Sequence, residues 1–466
     1  MLALVSLSLA GLFSMISGIF NINVRGVIAF AILILAACIG FYFSSGDLEI
    51  SSTLIDQMLS FDKFSLGISS VIIFGTIVVL LISEHYLDKI SHFQGEFISL
   101  VLFSAVGMIC MVSFKNLAML FVGIEIMSVP LYILAGSFKH NLHSNESSLK
   151  YFLMGAFTTG ILLMGIALIY GGAHTFDCVQ IGEFISSNSM KTENTTLLYL
   201  GVFFMIFAFC FKISAFPFHI WTPDVYQGAP TWVTSFMSTV VKVSGIAAFY
   251  RLFDFFFATT GLTHNIILCL AVISALTISI GSISAIYQTN IKRILAYSSI
   301  SHAGYMLMTI VFLEESSKSI VIYYSLAYTL ASVALFAVLM SVENKKSIMD
   351  ISAFNGLAKN NSFLAFVAAI ALLSMAGIPI TSGFIAKFSV LKLAVVKGYV
   401  WLAIVGVVNA ILGAYYYLQL IIAMYFKSND ETETYENSTI YNVVLILLVL
   451  MIIGTGLFSD LFLNLI

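Results

Sequence analysis

Charge is scarce in this chain. Lys, Arg, Asp and Glu make up 9% of its 466 residues, against 60% hydrophobic side chains, and the mean hydropathy is +1.04. A water-facing surface of ordinary size cannot be built from such a composition. Cysteine is too scattered to form a framework: Cys38, Cys110, Cys178, Cys210 and Cys269 include no CxxC pair, so an iron–sulfur cluster or structural zinc site lacks its ligand spacing. No GxGxxG or Walker sequence stands in a soluble strand–turn–helix setting, which excludes the common nucleotide-binding folds. The chain is therefore expected to carry no cofactor and no metal of its own and to bind no nucleic acid; its net charge of −3 is uninformative about partners once the surface is lipid.

What is present is a succession of apolar runs of about 18 to 25 residues, each long enough to cross roughly 30 Å of hydrocarbon as an α-helix. Fourteen spans are predicted, at 2–20, 24–43, 65–83, 95–113, 115–137, 150–170, 196–214, 230–254, 264–286, 293–313, 318–342, 361–394 (interrupted), 400–426 and 439–463. Membrane β-strands would be shorter and would alternate, so the expected fold is all-α and polytopic in the lipid bilayer. The opening MLALVSLSLAGLFSMISGIF has no Lys or Arg ahead of its apolar run and no evident cleavage site, and reads as a retained first span. Connections such as FKHNLHSNESS, SSNSMKTENTT, EESSKS and KSNDETETYENS are short and polar, which leaves a single membrane domain over 1–466. Loops after odd-numbered spans hold Arg25, Lys89, Lys139, Lys292, Arg293, Lys345, Lys346, Lys359 and Lys427, whereas even loops hold Lys63, Lys115, Lys191, Arg251, Lys318 and Lys397. This bias places the odd loops in the cytoplasm and both termini outside. In the longest basic loop, MDISAFNGLAKN is expected to lie as a short interfacial helix.

A charge at the centre of a bilayer helix costs about 3 kcal/mol on insertion scales, so each one invites a functional reading. Six positions qualify: Glu125 in AMLFVGIEIMSVPLYILAG, Lys150 at the head of its span, Lys212, Lys242 in SFMSTVVKVSGIAAF, His302 in AYSSISHAGYML and Lys387 in AGIPITSGFIAKFSV. Each also has a plainer reading. Lys150 is near enough to a polar loop to snorkel, Glu125 could be a packing acid bonded to backbone, and His302 a core histidine satisfied by Ser298 or Ser299. Lys212 and Lys242 are too deep for easy snorkelling.

Proline is rarer still, five in all, and each stands beside one of these charges or its break. Pro130 and Pro217 each follow a charge, Glu125 or Lys212, by five residues, and open the carbonyls of Ile126 and Ile213. Pro223 and Pro230 complete the first break, in FKISAFPFHIWTPDVYQGAPTW, where His219 and Asp224 also lie. Pro379 opens the carbonyl of Met375, between Gly377 and Gly383. Open backbone survives in a membrane only where protein or a hydrated cavity satisfies it. Two broken helices, one per half, are the mark of an inverted-repeat transport fold. The halves would be spans 4 to 8 and 9 to 13, with breaks in spans 7 and 12. The domain divisions are then 1–94 for three N-terminal helices, 95–255 and 264–427 for the repeats, and 439–463 for the last helix.

The stretch FKISAFPFHIWTPDVYQGAP, followed about twelve residues on by the lysine of STVVKVSGIAAFYRLF, resembles the antiporter-like subunits of respiratory complex I, the proton-translocating NADH:quinone oxidoreductase. IKRILAYSSISHAGYML and GIPITSGFIAKF extend the likeness, which runs by motif from Glu125 to Lys387. The resemblance implies a multi-pass protein of the bacterial inner membrane, part of a translocase of the EC 7.1.1 type. NADH, FMN, iron–sulfur clusters and quinone would reside in partner subunits, and the chain would contact neighbouring antiporter-like and small membrane subunits. It makes Glu125 and Lys212 a coupling ion pair, Lys242 the central relay with His302 beside it, and Lys387 the terminal proton donor or acceptor. Lys150 and His219 are further candidates.

As physics, a lysine in a partly dehydrated channel loses the hydration that favours its charged form, and a nearby carboxylate restores that preference. Withdrawing Glu125 would then send a proton from Lys212 to Lys242, and waters ordered by Ser298, Ser299, Ser301 and Tyr305 could carry it past His302 to Lys387. The alternatives are a subunit of a multisubunit Na⁺/H⁺ antiporter or membrane-bound hydrogenase, a free-standing solute transporter, and a passive helical scaffold, which explains six buried ionisable groups poorly.

Overall fold

The structure is a computed structural model and describes all residues except 1, 20–23, 45–52, 89–93, 187–191, 258–262, 347–348, 429–436 and 465–466. Lys89 and Lys191, used above to orient the loops, lie outside the described residues. The described chain is helical, with only isolated backbone bridges between loops. Helices form because hydrocarbon offers backbone groups no partner, so each apolar run closes its hydrogen bonds within itself. Nine described helices are long and apolar enough to cross a membrane by length and composition, and four shorter apolar ones accompany them.

Asparagines start several of these helices. Asn116, Asn290 and Asn361 accept from backbone N–H groups of the first turn of Leu117–Ala135, Ile291–Val311 and Ser362–Ala376, partners those orphan donors otherwise lack. Asn141 does the same for Leu142–Ala173, so this helix begins eight residues before the predicted 150–170. Lys150 accordingly sits about two turns inside its helix rather than at the head. The predicted interfacial segment is a 3₁₀ turn, Ile351–Phe354, followed by the short helix Leu357–Asn360.

Ile291–Val311 and Glu315–Glu343 are each 94% buried over their apolar windows, whereas Leu142–Ala173 and Val400–Phe426 are 39% buried; the first pair forms the centre and the second pair faces outward. Two loop pairings repeat. Leu117 N donates to Phe176 O and Cys178 N to Lys115 O, both at 2.9 Å; Ile291 N donates to Met349 O at 2.9 Å and Ile351 N to Thr289 O at 3.0 Å. Arg251 is 3% exposed, a buried staple rather than the loop charge expected. Its guanidinium reaches both oxygens of Asp62 at 2.9 Å and donates to the carbonyls of Phe114 at 2.9 Å and Ser60 at 3.1 Å.

Close helix contacts rest on small residues, as in other membrane bundles. A Cβ at Gly107 would lie 2.4 Å from Met127 N and 2.8 Å from Gly123 O, and one at Gly123 would lie 2.8 Å from Met111 N. All these neighbours are backbone, so the Gln94–Val112 and Leu117–Ala135 helices would have to separate. Gly107→Ala is expected to lower the thermal midpoint of the purified protein and its amount in the membrane, whereas Gly160→Ala, where a Cβ meets nothing within 4 Å, leaves both unchanged.

Candidate functional site: two helix breaks joined by a buried polar line

The first break follows Thr192–Lys212. Ser214 takes a positive φ of 62°, and the helix resumes at Trp221–Gly228. Side chains take up the interrupted backbone: Trp221 Nε1 donates to Phe211 O at 3.2 Å, and Phe216 N donates to Thr277 Oγ1 at 2.9 Å. Lys212, the last residue before the break, donates from Nζ to Ser128 Oγ at 2.8 Å, and Ser128 donates to Ile124 O at 2.6 Å. Glu125 stands on the same helix as Ser128, with Oε1 buried and without a hydrogen-bond partner. The implied ion pair is therefore not closed in this state. Glu125 acts on Lys212 electrostatically, but its oxygens lie beyond the 4.0 Å of a salt bridge, and a neutral hydroxyl holds the ammonium instead.

Lys242 closes a π-helical segment, Met237–Val241, that joins Thr231–Phe236 to Lys242–Phe257. A π turn accommodates one extra residue and re-aims the side chains beyond it. Lys242 is 1% exposed. Its Nζ donates to Ser299 Oγ at 2.7 Å and lies 5.8 Å from the ring centre of Tyr226, on the helix after the first break. The same helix packs back on the first cluster, with Ser244 Oγ 3.7 Å from the sulfur of Met127.

His302 lies one turn beyond Ser299. Its Nδ1 is 2.9 Å from the Tyr324 hydroxyl and its Nε2 is 3.4 Å from that of Tyr417, which is itself hydrogen-bonded to Ser298. The Tyr328 ring packs 5.0 Å away. A small cavity lined by His302, Tyr324, Tyr328, Ser374, Met375 and Ala386 leads to the second break. There Ser362–Ala376 stops at Gly377, φ +86°, and Ser382–Val396 resumes the path. Lys387 donates to Met375 O at 2.7 Å and Ala376 O at 3.1 Å. Met375 O is the acceptor that Pro379 leaves open, so the lysine fills the gap made by the proline, at a helix C-terminus where a cation is favoured. The Tyr305 ring lies 5.3 Å from the same ammonium.

The structure thus brings Lys242, His302 and Lys387 into one buried polar line, with Glu125 and Lys212 as a half-buried cluster at its edge. His219 is half-buried, its Nδ1 unpartnered. Lys150 is set apart: its side chain is 41% exposed and paired with Glu146 at 2.7 Å and Asp224 at 2.9 Å. Asp224 also binds Arg293 at 2.9 Å, so it belongs to a rim of paired charges and not to the interior. Sequence reasoning missed Tyr324, Tyr328 and Tyr417. The available signal was hydroxyl-bearing rings in YYSLAYTL and AYYYLQL, where Phe or Leu would serve packing alone. It also missed that Lys292, counted above as a loop charge, is largely buried against Glu343, just beyond the predicted end of the 318–342 span.

Residues 114–413 match the family described as NADH:quinone oxidoreductase/Mrp antiporter, TM. The chain is 41% identical over 411 residues to the NADH-quinone oxidoreductase subunit N of Cytophaga hutchinsonii, covering 87% of each. It is 39% identical to that of Flavobacterium johnsoniae, covering 99% of each. Among solved structures it superposes on a chain of respiratory complex I from Thermus thermophilus with TM-score 0.81 and 27% identity, covering 99% of this chain and 98% of that one. A chain of the Mrp complex from a Dietzia species shares the fold, with TM-score 0.87 and 20% identity over 99% of this chain and 95% of that one. A match of this extent to the family, with relatives aligned over nearly the whole length, makes this chain a member of the NADH:quinone oxidoreductase/Mrp antiporter transmembrane family.

Proposed function

We propose that the chain is the subunit N type of membrane-arm subunit in an NADH:quinone oxidoreductase, where it moves protons across the bacterial inner membrane. The names of its relatives at 37% to 41% identity support this reading over the Na⁺/H⁺ antiporter alternative. Fourteen membrane spans, two inverted repeats and termini on the outer side complete it. The matched loop pairings support the repeat: the Asn116–Asp177 bridge recurs as Asn290–Asp350. Five spans separate the two starts, so the second lies on the opposite face.

The observation that carries the mechanism is Lys242, buried to 1% exposure with a neutral hydroxyl, Ser299, as its hydrogen-bond acceptor. An ammonium without a carboxylate in a dry site is not locked in its charged form, which is what a relay requires. Protons pass from the Glu125–Lys212 cluster to Lys242, then by Ser299, His302 and its tyrosines to Lys387. Approach of Glu125 favours the charged Lys212 and withdrawal favours release. Moving one proton against about 100 mV requires about 2.3 kcal/mol, within reach of one such switch. The driving energy is quinone reduction by partner subunits, which hold the NADH, FMN, iron–sulfur and quinone sites; this chain supplies none of the redox chemistry.

Lys212→Ala and Lys242→Ala are each expected to cut protons translocated per electron sharply while the complex still assembles, measured in inverted membrane vesicles with NADH; a wild-type ratio in either would sink the relay. Lys387→Met should leave the Met375 and Ala376 carbonyls without their partner, at a cost of about 2 kcal/mol. Faster amide exchange across 375–383 than in the native protein is the expected readout.

A further inference from the structure

The relay begins in the interior, and a proton must reach it from water. Lys292 and Glu343 bear on that step. Their side chains are 8% and 22% exposed, with Nζ 3.2 Å from Oε1. Glu343 Oε2 accepts from the hydroxyls of Tyr86 and Thr231, and Lys292 also donates to Ala229 O at 3.2 Å. A buried ion pair is by itself weak evidence for a stabilising role, since apolar packing commonly serves a dry contact as well or better.

Two independent features flank this pair. On one side, Tyr86 is also a wall of a cleft that it shares with Arg25, Glu84, Ser341, Asn437 and Ser438. On the other, Thr231, Ser235, Ser238 and Lys242 recur every three or four residues through Thr231–Phe236 and the π-helical Met237–Val241. Ser235 Oγ is buried without a partner, a hydroxyl free to join a hydrogen-bonded path.

We propose that Glu343, set by Lys292 and Tyr86, is the site at which protons are taken up from the face carrying the cleft and passed along this row of hydroxyls to Lys242. The Tyr86 hydroxyl, which lines the cleft, passes its proton to the Glu343 carboxylate and regains one from water in the cleft, loosening the ion pair with Lys292. The carboxylate then releases that proton inward, and the ion pair re-forms. No electrons move in this step. The inference rests on the proton relay stated above and adds its point of supply.

The test uses the complete complex in inverted vesicles, with protons taken up per NADH oxidised as the readout and the assembled amount checked on native gels. Glu343→Gln keeps the length and hydrogen-bond acceptor but cannot titrate, and is expected to lower the ratio at least twofold. Glu343→Asp is shorter but titratable, and is expected to retain more of it. A staple would show the reverse order; that order, or a wild-type ratio in Glu343→Gln, overturns the proposal. Lys242→Ala in the same assay separates the two levels, since a wild-type ratio there defeats the relay itself. Should either Glu343 variant fail to assemble, Asn437→Cys, at a half-buried wall of the cleft, decides: labelling by a membrane-impermeant thiol reagent from the cleft face is expected, and full protection overturns the proposal.

Discussion

Every backbone carbonyl inside a bilayer needs a partner, and the two helix breaks are where this chain leaves that need to side chains. The constraint organises the interior. Where Pro379 withdraws a donor from Met375 O, Lys387 supplies one, so a residue that would be expensive in hydrocarbon is held by a debt the proline created. The first break is settled differently, by Trp221 and Thr277, which leaves Lys212 free of backbone duty and bound to Ser128. The two breaks thus hold their lysines by different partners, a carbonyl pair at one and a hydroxyl at the other.

Around these breaks the molecule has an inside and an outside in the usual membrane sense. The central helices are buried almost throughout, and three of their polar groups, His302, Tyr324 and Tyr328, line one narrow space. The outer helices turn Leu, Phe and Ile to lipid. The loop pairings and the Arg251 staple fix the rims, so that a rearrangement at either break need not disturb the bundle as a whole.

Much of this was legible in the sequence because charge and proline are costly in a membrane and so conspicuous there. Glu125, Lys212, Lys242, His302 and Lys387 stand out against apolar neighbours, and the acceptor opened by Pro379 could be named in advance. What was not legible was partnership. Nothing in the order of residues says that Lys212 rests on Ser128 rather than on Glu125, or that His302 answers to Tyr324 instead of Ser298 or Ser299. Tyrosine in an apolar run is ambiguous between packing and hydrogen bonding. Lys292 and Glu343 were hidden for another reason: a hydropathy reading ends its spans at charges, so a buried pair at the helix ends looks like loop. Lys150 was misplaced because the polar first turns of its helix, held by Asn141, read as connection.

Seven of the described cations fall into two groups by the company they keep. Arg251, Lys150, Arg293 and Lys292 are matched to Asp or Glu. Lys212, Lys242 and Lys387 are matched to a serine, a serine and backbone. A carboxylate partner would act as a trap, deep enough to hold a proton in place. Hydroxyls and carbonyls are shallow wells that hold an ammonium without committing it to its charge. In the relay proposed above, the interior would owe its capacity to conduct to the anions that are withheld from it, much as an insulator becomes a conductor when its traps are removed.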